Sequence, residues 1–178
     1  MAALLGAFGA GSLLAGSRTL RVDHGASRVE FVAHATMHSV EGWITAWDLG
    51  LAWVDGANLP DTVVFTGKGP SMTTDHAKRD EEMHHWMEHD ARPDIVWRLK
   101  SFSGPAESPV AEGELTLHGV TVPVAVPVTL ERTGDRLTID GHATLDTRKF
   151  DLPVFRKFGL LSVAPEVSVS FHIAGTLE

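Results

Sequence analysis

The 178-residue chain contains no cysteine and no tyrosine. Without cysteine there is no disulfide, no thiolate metal ligand and no cysteine nucleophile, and the redox compartment stays undetermined. Basic residues are outnumbered, 15 Lys and Arg against 23 Asp and Glu, for a formal charge of -8 with His neutral. That balance repels nucleic acid and anionic membrane surfaces as principal partners, and no basic patch offsets it. Long apolar runs are also missing: the stretch MAALLGAFGAGSLLAG at the start is too short to cross a bilayer as a helix, so no integral membrane segment is expected. There is no G-x-S-x-G, no Ser-His-Asp cluster and no Gly-rich phosphate loop. No catalytic residue and no cofactor is therefore assigned.

What is present is alternation. From Val120 to Leu130 every even position is aliphatic, while Thr121, Pro123, Ala125, Pro127 and Thr129 occupy the odd ones, the pattern of a strand with one dry face. Before it, Gly113, Leu115 and Leu117 alternate with Glu112, Glu114 and Thr116, and His118-Gly119 between the runs predicts a β-hairpin. Pro123 and Pro127 are an even number of residues apart, so their missing N–H groups belong to one flank, which should be an edge or a loosely paired seam.

The same period recurs along the chain. Strands are expected over Thr19 to Val22, around Val29, Phe31, Ala33 and Ala35, over Val40 to Val54 with bends at Gly42 and Gly50, and over Thr62 to Thr66. They continue at Ile95, Trp97 and Leu99, at Leu137, Ile139, Gly141, Ala143 and Leu145, and at Val167, Val169, Phe171 and Ile173. Asp75 to Asp90 is the one good helix candidate, capped by Thr74 or Asp75, with Met83, Trp86 and Met87 forming an i, i+3, i+4 stripe. One helix cannot cover so many dry strand faces, so the sheet must cover itself as a barrel or a sandwich. A barrel of about eight strands is just wide enough to be filled by side chains or to hold one small ligand.

Four motifs in order resemble the YceI-like, or polyisoprenoid-binding, family. They are RVEFVAHATMHSVEGW (Arg28 to Trp43), Ser71 to Thr74 with Arg79-Asp80, Met83 and Pro93-Asp94-Ile95, GELTLHGVTVPV (Gly113 to Val124), and LDTRKFDLP (Leu145 to Pro153). Asp151 departs from the pattern, standing where the family usually has glycine. The resemblance implies an all-β fold, an extended antiparallel lipocalin-like β-barrel of about eight strands with one short helix, which holds a polyisoprenoid, an isoprenoid-quinone tail or another long-chain lipid. It implies binding, sequestration or transport without catalysis. The ligand-contacting residues expected are Phe31, Trp43, Met83, Trp86, Met87, Trp97, Val126, Phe150, Val169 and Phe171. The alternative is that these side chains simply fill the barrel, leaving an interaction module.

Arg79, Asp80 and Arg148 are candidates either for a lipid headgroup or for pairing with carboxylates that fix the closing loops. Ten histidines raise a metal or metal-assisted alternative through His85 and His89, spaced i, i+4 with Glu81 one turn earlier. With no H-E-x-x-H present, no metal site is assigned. His34 and His38 are expected to be structural. Residues 1–18 read as a secretory leader or a disordered start, and 19–178 as one lipid-binding domain. The expected location is periplasmic or secreted if the leader is cleaved and cytoplasmic otherwise, with a homodimer left open.

Overall fold

Period-two alternation becomes strand almost everywhere it occurs. The computed structural model describes residues 16–157 and 161–178; of the segment read as a leader, 1–18, residues 1–15 lie outside them, while Ser17 and Arg18 open the first strand of the barrel and pair with Val54 and Trp53. In chain order the elements are β1 (Ser17–Val22), β2 (Arg28–Ala35), β3 (Ser39–Ile44), β4 (Trp47–Val54), β5 (Thr62–Lys68), β6 (Met72–Thr73), α1 (Ala77–Trp86), β7 (Asp94–Ser103), β8 (Val110–Leu117), β9 (Val120–Thr133), β10 (Arg136–Asp146), β11 (Arg156–Lys157) and β12 (Leu161–Leu177).

The strands pair antiparallel in the order β1-β4-β5-β7-β8-β9-β10-β12, and β1 pairs back onto β12 through Leu20↔Leu177 to close a barrel of eight. Strand β12 carries two partners in succession on one flank, β2 from Val163 to His172 and then β1 from Gly175 to Leu177. Beyond β2 the sheet continues through β3 to β6 as a flap at the upper end. The turn between β8 and β9 has both central residues at positive φ, His118 at 52° and Gly119 at 75°. Such a turn matches the twist of the strands it joins.

Two local expectations need correction. The stretch Val40 to Val54 is two strands, broken at Thr45-Ala46 rather than bent at Gly42 and Gly50. The Thr45 N–H donates to the Ser71 carbonyl at 3.1 Å and the Ala46 N–H to Ser71 Oγ at 3.0 Å. The chain thereby leaves one ladder and enters another. The helix is shorter than Asp75 to Asp90: His76 caps it, its Nδ1 accepting from the Arg79 N–H at 3.4 Å, and it ends at Trp86. Asp75 and Glu88, at φ 55° and 53°, bound it on either side in the left-handed region, which no helix continues through.

Candidate functional site

On β2 and β10 the inward side chains become mostly smaller away from the base of the barrel, whereas on β8 Ala111 and Gly113 give way upward to Leu115 and Leu117. Along β10 the inward series is Leu137, Ile139, Gly141, Ala143, Leu145; along β2 it is Val29, Phe31, Ala33, Ala35. Two aromatic rings in this region sit over glycines of the neighbouring strand. Phe31 faces Gly42 across the β2–β3 ladder and Phe171 faces Gly141 across β10–β12. A Cβ added at Gly42 or Gly141 would come within 2.4 Å and 2.3 Å of those rings, so glycine is what allows each ring to lie against the wall.

The result is an unfilled, predominantly apolar cavity of about 580 Å³ running from beneath α1 into the barrel. Of the ligand residues expected from sequence, Phe31, Met83, Trp86, Met87, Trp97, Val126, Val169 and Phe171 border it; Trp43 and Phe150 do not. Trp43 alternates with Ile44, which does line the cavity, and so faces outward. Phe150, 1 % exposed, is packed with Leu152, Met87, Ile95, Leu115 and Leu117 in a separate cluster beside the upper end. Lining residues not singled out from sequence include Ile44, Phe65, Phe102, Ala143 and Phe155. Ala143 was signalled by the alternation already read along β10. Phe155, by contrast, arrives on an irregular segment with no periodic signal.

The mouth is bordered by Ala35 and His38 at the β2–β3 turn, Thr74, His76, Lys78 and Arg79 at the start of α1, and Phe155. Arg79 and Asp80 anchor this end of the helix. Arg79 Nε donates to Thr74 Oγ1 at 2.7 Å and its Nη2 to the Thr74 carbonyl at 2.8 Å. Asp80 accepts from Thr73 Oγ1 at 2.7 Å, from the Thr74 N–H at 2.9 Å and from Thr74 Oγ1. Burial works against the Asp80 carboxylate, yet the hydrogen bonds from Thr74 and Thr73 outweigh it and hold its pKa below the ordinary value. Arg79 thus fixes a loop through a hydroxyl and a carbonyl, where a carboxylate partner was one of the two roles expected. Arg148 does pair with carboxylates, Asp146 at 2.7 Å and Glu166 at 3.5 Å, on the surface and away from the cavity lining. Asp151, in the place of the glycine usual in the related pattern, takes the left-handed conformation itself at φ 58°. Asp tolerates that region better than most residues.

The histidines do not assemble into a metal site, although the His84 and His89 ring centroids lie 5.1 Å apart. His34 Nδ1 bonds Ser39 Oγ at 2.8 Å. Because α1 ends at Trp86, the i, i+4 relation between exposed His85 and His89 is lost. Among the described residues no group of three or more His, Cys, Asp or Glu side chains is placed to hold a metal ion. His89 is instead 3 % exposed, with neither ring nitrogen hydrogen-bonded and its ring against Gly69, where an added Cβ would lie 2.4 Å from Cδ2. Burial, reinforced by His84, lowers its pKa from 6.5 to about 4. His118, which sequence reading treated only as a turn residue, is buried as a fastening: its Nδ1 bonds the Phe150 carbonyl at 2.9 Å and its Nε2 lies 3.2 Å from Glu88. Its place beside Gly119 in a two-residue turn was the only signal.

A model of the YceI-like domain matches residues 20–175. The chain belongs to the YceI-like family. Solved YceI-like folds superpose on it at low sequence identity. BcnA from Burkholderia cenocepacia is 20% identical, with a TM-score of 0.77 over 88% of this chain and 100% of that one. A polyisoprenoid-binding domain from Saccharophagus degradans is 15% identical, TM-score 0.68, over 92% and 99%. The YceI protein of Campylobacter jejuni is 13% identical, TM-score 0.70, over 80% and 88%. No curated protein matches the chain. These likenesses establish the lipocalin-like fold of this YceI-like chain.

Proposed function

We propose that this YceI-like protein binds one long apolar molecule, such as a polyisoprenoid or an isoprenoid-quinone tail, inside the barrel, and sequesters or carries it without chemical change. The observation that carries this reading is the unfilled apolar cavity beneath α1. Burial in such a space contributes about 0.8 kcal/mol per methylene before ordering costs are subtracted, so shape and dryness can hold a tail with few polar contacts. Met83 and Met87, beside Trp86, give the cover adaptable surfaces. The polyisoprenoid-binding domain among the similar folds supports the choice of ligand class. Removal of an exported leader would place this activity in the periplasm or outside the cell.

The test is native mass spectrometry of the purified, folded protein with organic extraction of whatever it retains. The expected result is one long-chain lipid per barrel, either co-purified or taken up when offered. A folded protein that neither retains nor takes up such a molecule overturns the reading.

A further inference from the structure

Strand β9 has two unlike halves. From Val120 to Pro127 it pairs with β8, while its ladder with β10 begins only at Val128↔Gly141 and runs to Thr133. The Val128 N–H donates to the Pro109 carbonyl, at the foot of β8, at 3.0 Å. Even-numbered amides of β9 therefore face β8 and odd-numbered ones face β10. Pro123 and Pro127 are odd, so the positions without an N–H fall on the flank towards β10. Strand β10 nevertheless continues to Asp146, held on its other edge by β12 up to Asp146↔Glu166. The barrel wall forks just above the Val128–Gly141 pair; higher up Phe150 and Leu152 pack in one cluster with Val120, Val122 and Val124 of β9 and Leu145 of β10, so the gap is confined to the part next to that pair.

Outside this fork lies a groove of about 380 Å³. Glu30, Val128 and Phe171 border both the groove and the interior cavity. At the vertex the wall consists of Gly141, which has no side chain, and the Phe171 ring lying against it. The charges in the groove are matched among themselves: His172 Nδ1 lies 2.7 Å from Asp140, and Arg28 Nε lies 3.2 Å from Glu30. His142, Ser170 and Thr129 also line the groove and offer an imidazole and two hydroxyls for hydrogen bonding. By the alternation above, the Gly141–Val128 pairing takes the His142 N–H to the Pro127 carbonyl, while the His142 C=O, facing a proline nitrogen without hydrogen, and the main-chain N–H and C=O of Thr144 point into the fork, where no ladder takes them up.

We propose that the fork is a second opening of the barrel, and that the groove outside it receives the uncharged, hydrogen-bonding end of an amphiphile whose chain lies within. That end is an alcohol, a carbonyl or an amide. This rests on the apolar-ligand reading above and adds where the polar end sits and what chemistry it has. A phosphate is disfavoured there because Arg28 already faces Glu30 and Asp140 adds a second carboxylate. An added peptide strand is disfavoured because the two prolines remove donors from the flank it would pair with.

The absence of cysteine makes Ala125→Cys, on the exposed outer side of the half of β9 that has no β10 partner, a unique thiol. Met37→Cys, at a position 92 % exposed beside the upper mouth, provides the comparison. Each is coupled to a bulky maleimide, coupling is verified by mass, and uptake of the uncharged fluorophore N-phenyl-1-naphthylamine and its displacement by farnesol are followed by stopped flow. The label at Ala125→Cys slows exchange about tenfold or more against the unlabelled variant. If labelling at Met37→Cys alone slows it, or neither does, the second opening is refuted. His142→Ala weakens farnesol about fivefold and leaves farnesene, which lacks the hydroxyl, unchanged; equal effects on both, or none on either, refute the headgroup assignment. If the folded wild-type chain takes up neither fluorophore nor farnesol, it is the apolar-ligand reading that fails.

Discussion

At the base of the barrel Leu20, Trp53, Leu137 and Leu177 are buried and none of them borders the cavity, whereas under α1 the side chains of Met83, Trp86 and Met87 face open space. The ladders are continuous at the base: Leu20 lies opposite Leu177, and Leu137 opposite Gly175. There Trp53 also donates its Nε1–H to the Ala57 carbonyl at 3.0 Å, with Arg132 over its ring at 5.2 Å. Along β2 and β10 the two regions share the same alternation and differ in the volume of the inward side chains. Large aliphatics and a tryptophan close one end, while in the other the alanines and glycine-backed rings of β2, β10 and β12 leave space opposite Trp97, Leu115 and Leu117. The barrel is packed below and carries its cavity above.

Substitutions should therefore separate stability from binding according to height in the barrel. Leu137→Ala, at a site 1 % exposed, is expected to cost about 2–5 kcal/mol in denaturant unfolding while the folded fraction still binds ligand; loss of binding without loss of stability would reverse the comparison. The next effect is pH-dependent and comes from the upper end. His89 is neutral when folded, with its pKa lowered from 6.5 to about 4, so the unfolded chain takes up the proton first. Stability is then full above pH 6.5, falls as the pH drops towards 4, and levels off below it, a loss of up to about 3 kcal/mol. Unfolding curves of His89→Phe, which cannot titrate, should be flatter over that window; an unchanged slope would mean that His89 does not titrate as its burial implies.

Within the bore, Ala143→Phe places a ring in free space, so stability should change by about 1 kcal/mol or less. Equilibrium titration should nonetheless show ligand affinity reduced about tenfold or more. A large destabilisation instead would indicate a packed interior at that level. Smallest of all is Arg148→Ala, which removes two exposed ion pairs of a residue that does not itself line the cavity. Neither melting nor ligand affinity should move measurably, and weakened binding would show that Arg148 does engage a headgroup.

The strands were legible because each has one dry face, and the hairpin turn because Gly119 follows His118. The two prolines of β9 also carried real information: the flank they leave without donors is the one that stays unpaired above Val128. Other features depend on groups distant in sequence. The break at Thr45-Ala46 is made by Ser71, and no local pattern announces it. The helix stops short because Glu88 turns left-handed, leaving the periodic stripe to end on a cap residue, Met87. Trp43 and Phe150 have the right chemistry for a lipid wall but the wrong position, one by strand phase and the other by packing beside the upper end instead of into the bore. His89 could not have been foreseen at all, since its burial depends on Gly69 and the end of α1 together.

Calorimetric titration of the folded wild-type protein with a long-chain isoprenoid alcohol at several temperatures addresses the unfilled bore most directly. One molecule bound per barrel with a negative heat-capacity change, the mark of apolar surface leaving water, is the predicted result. Folded protein showing no saturable binding, or binding without a heat-capacity change, would contradict it.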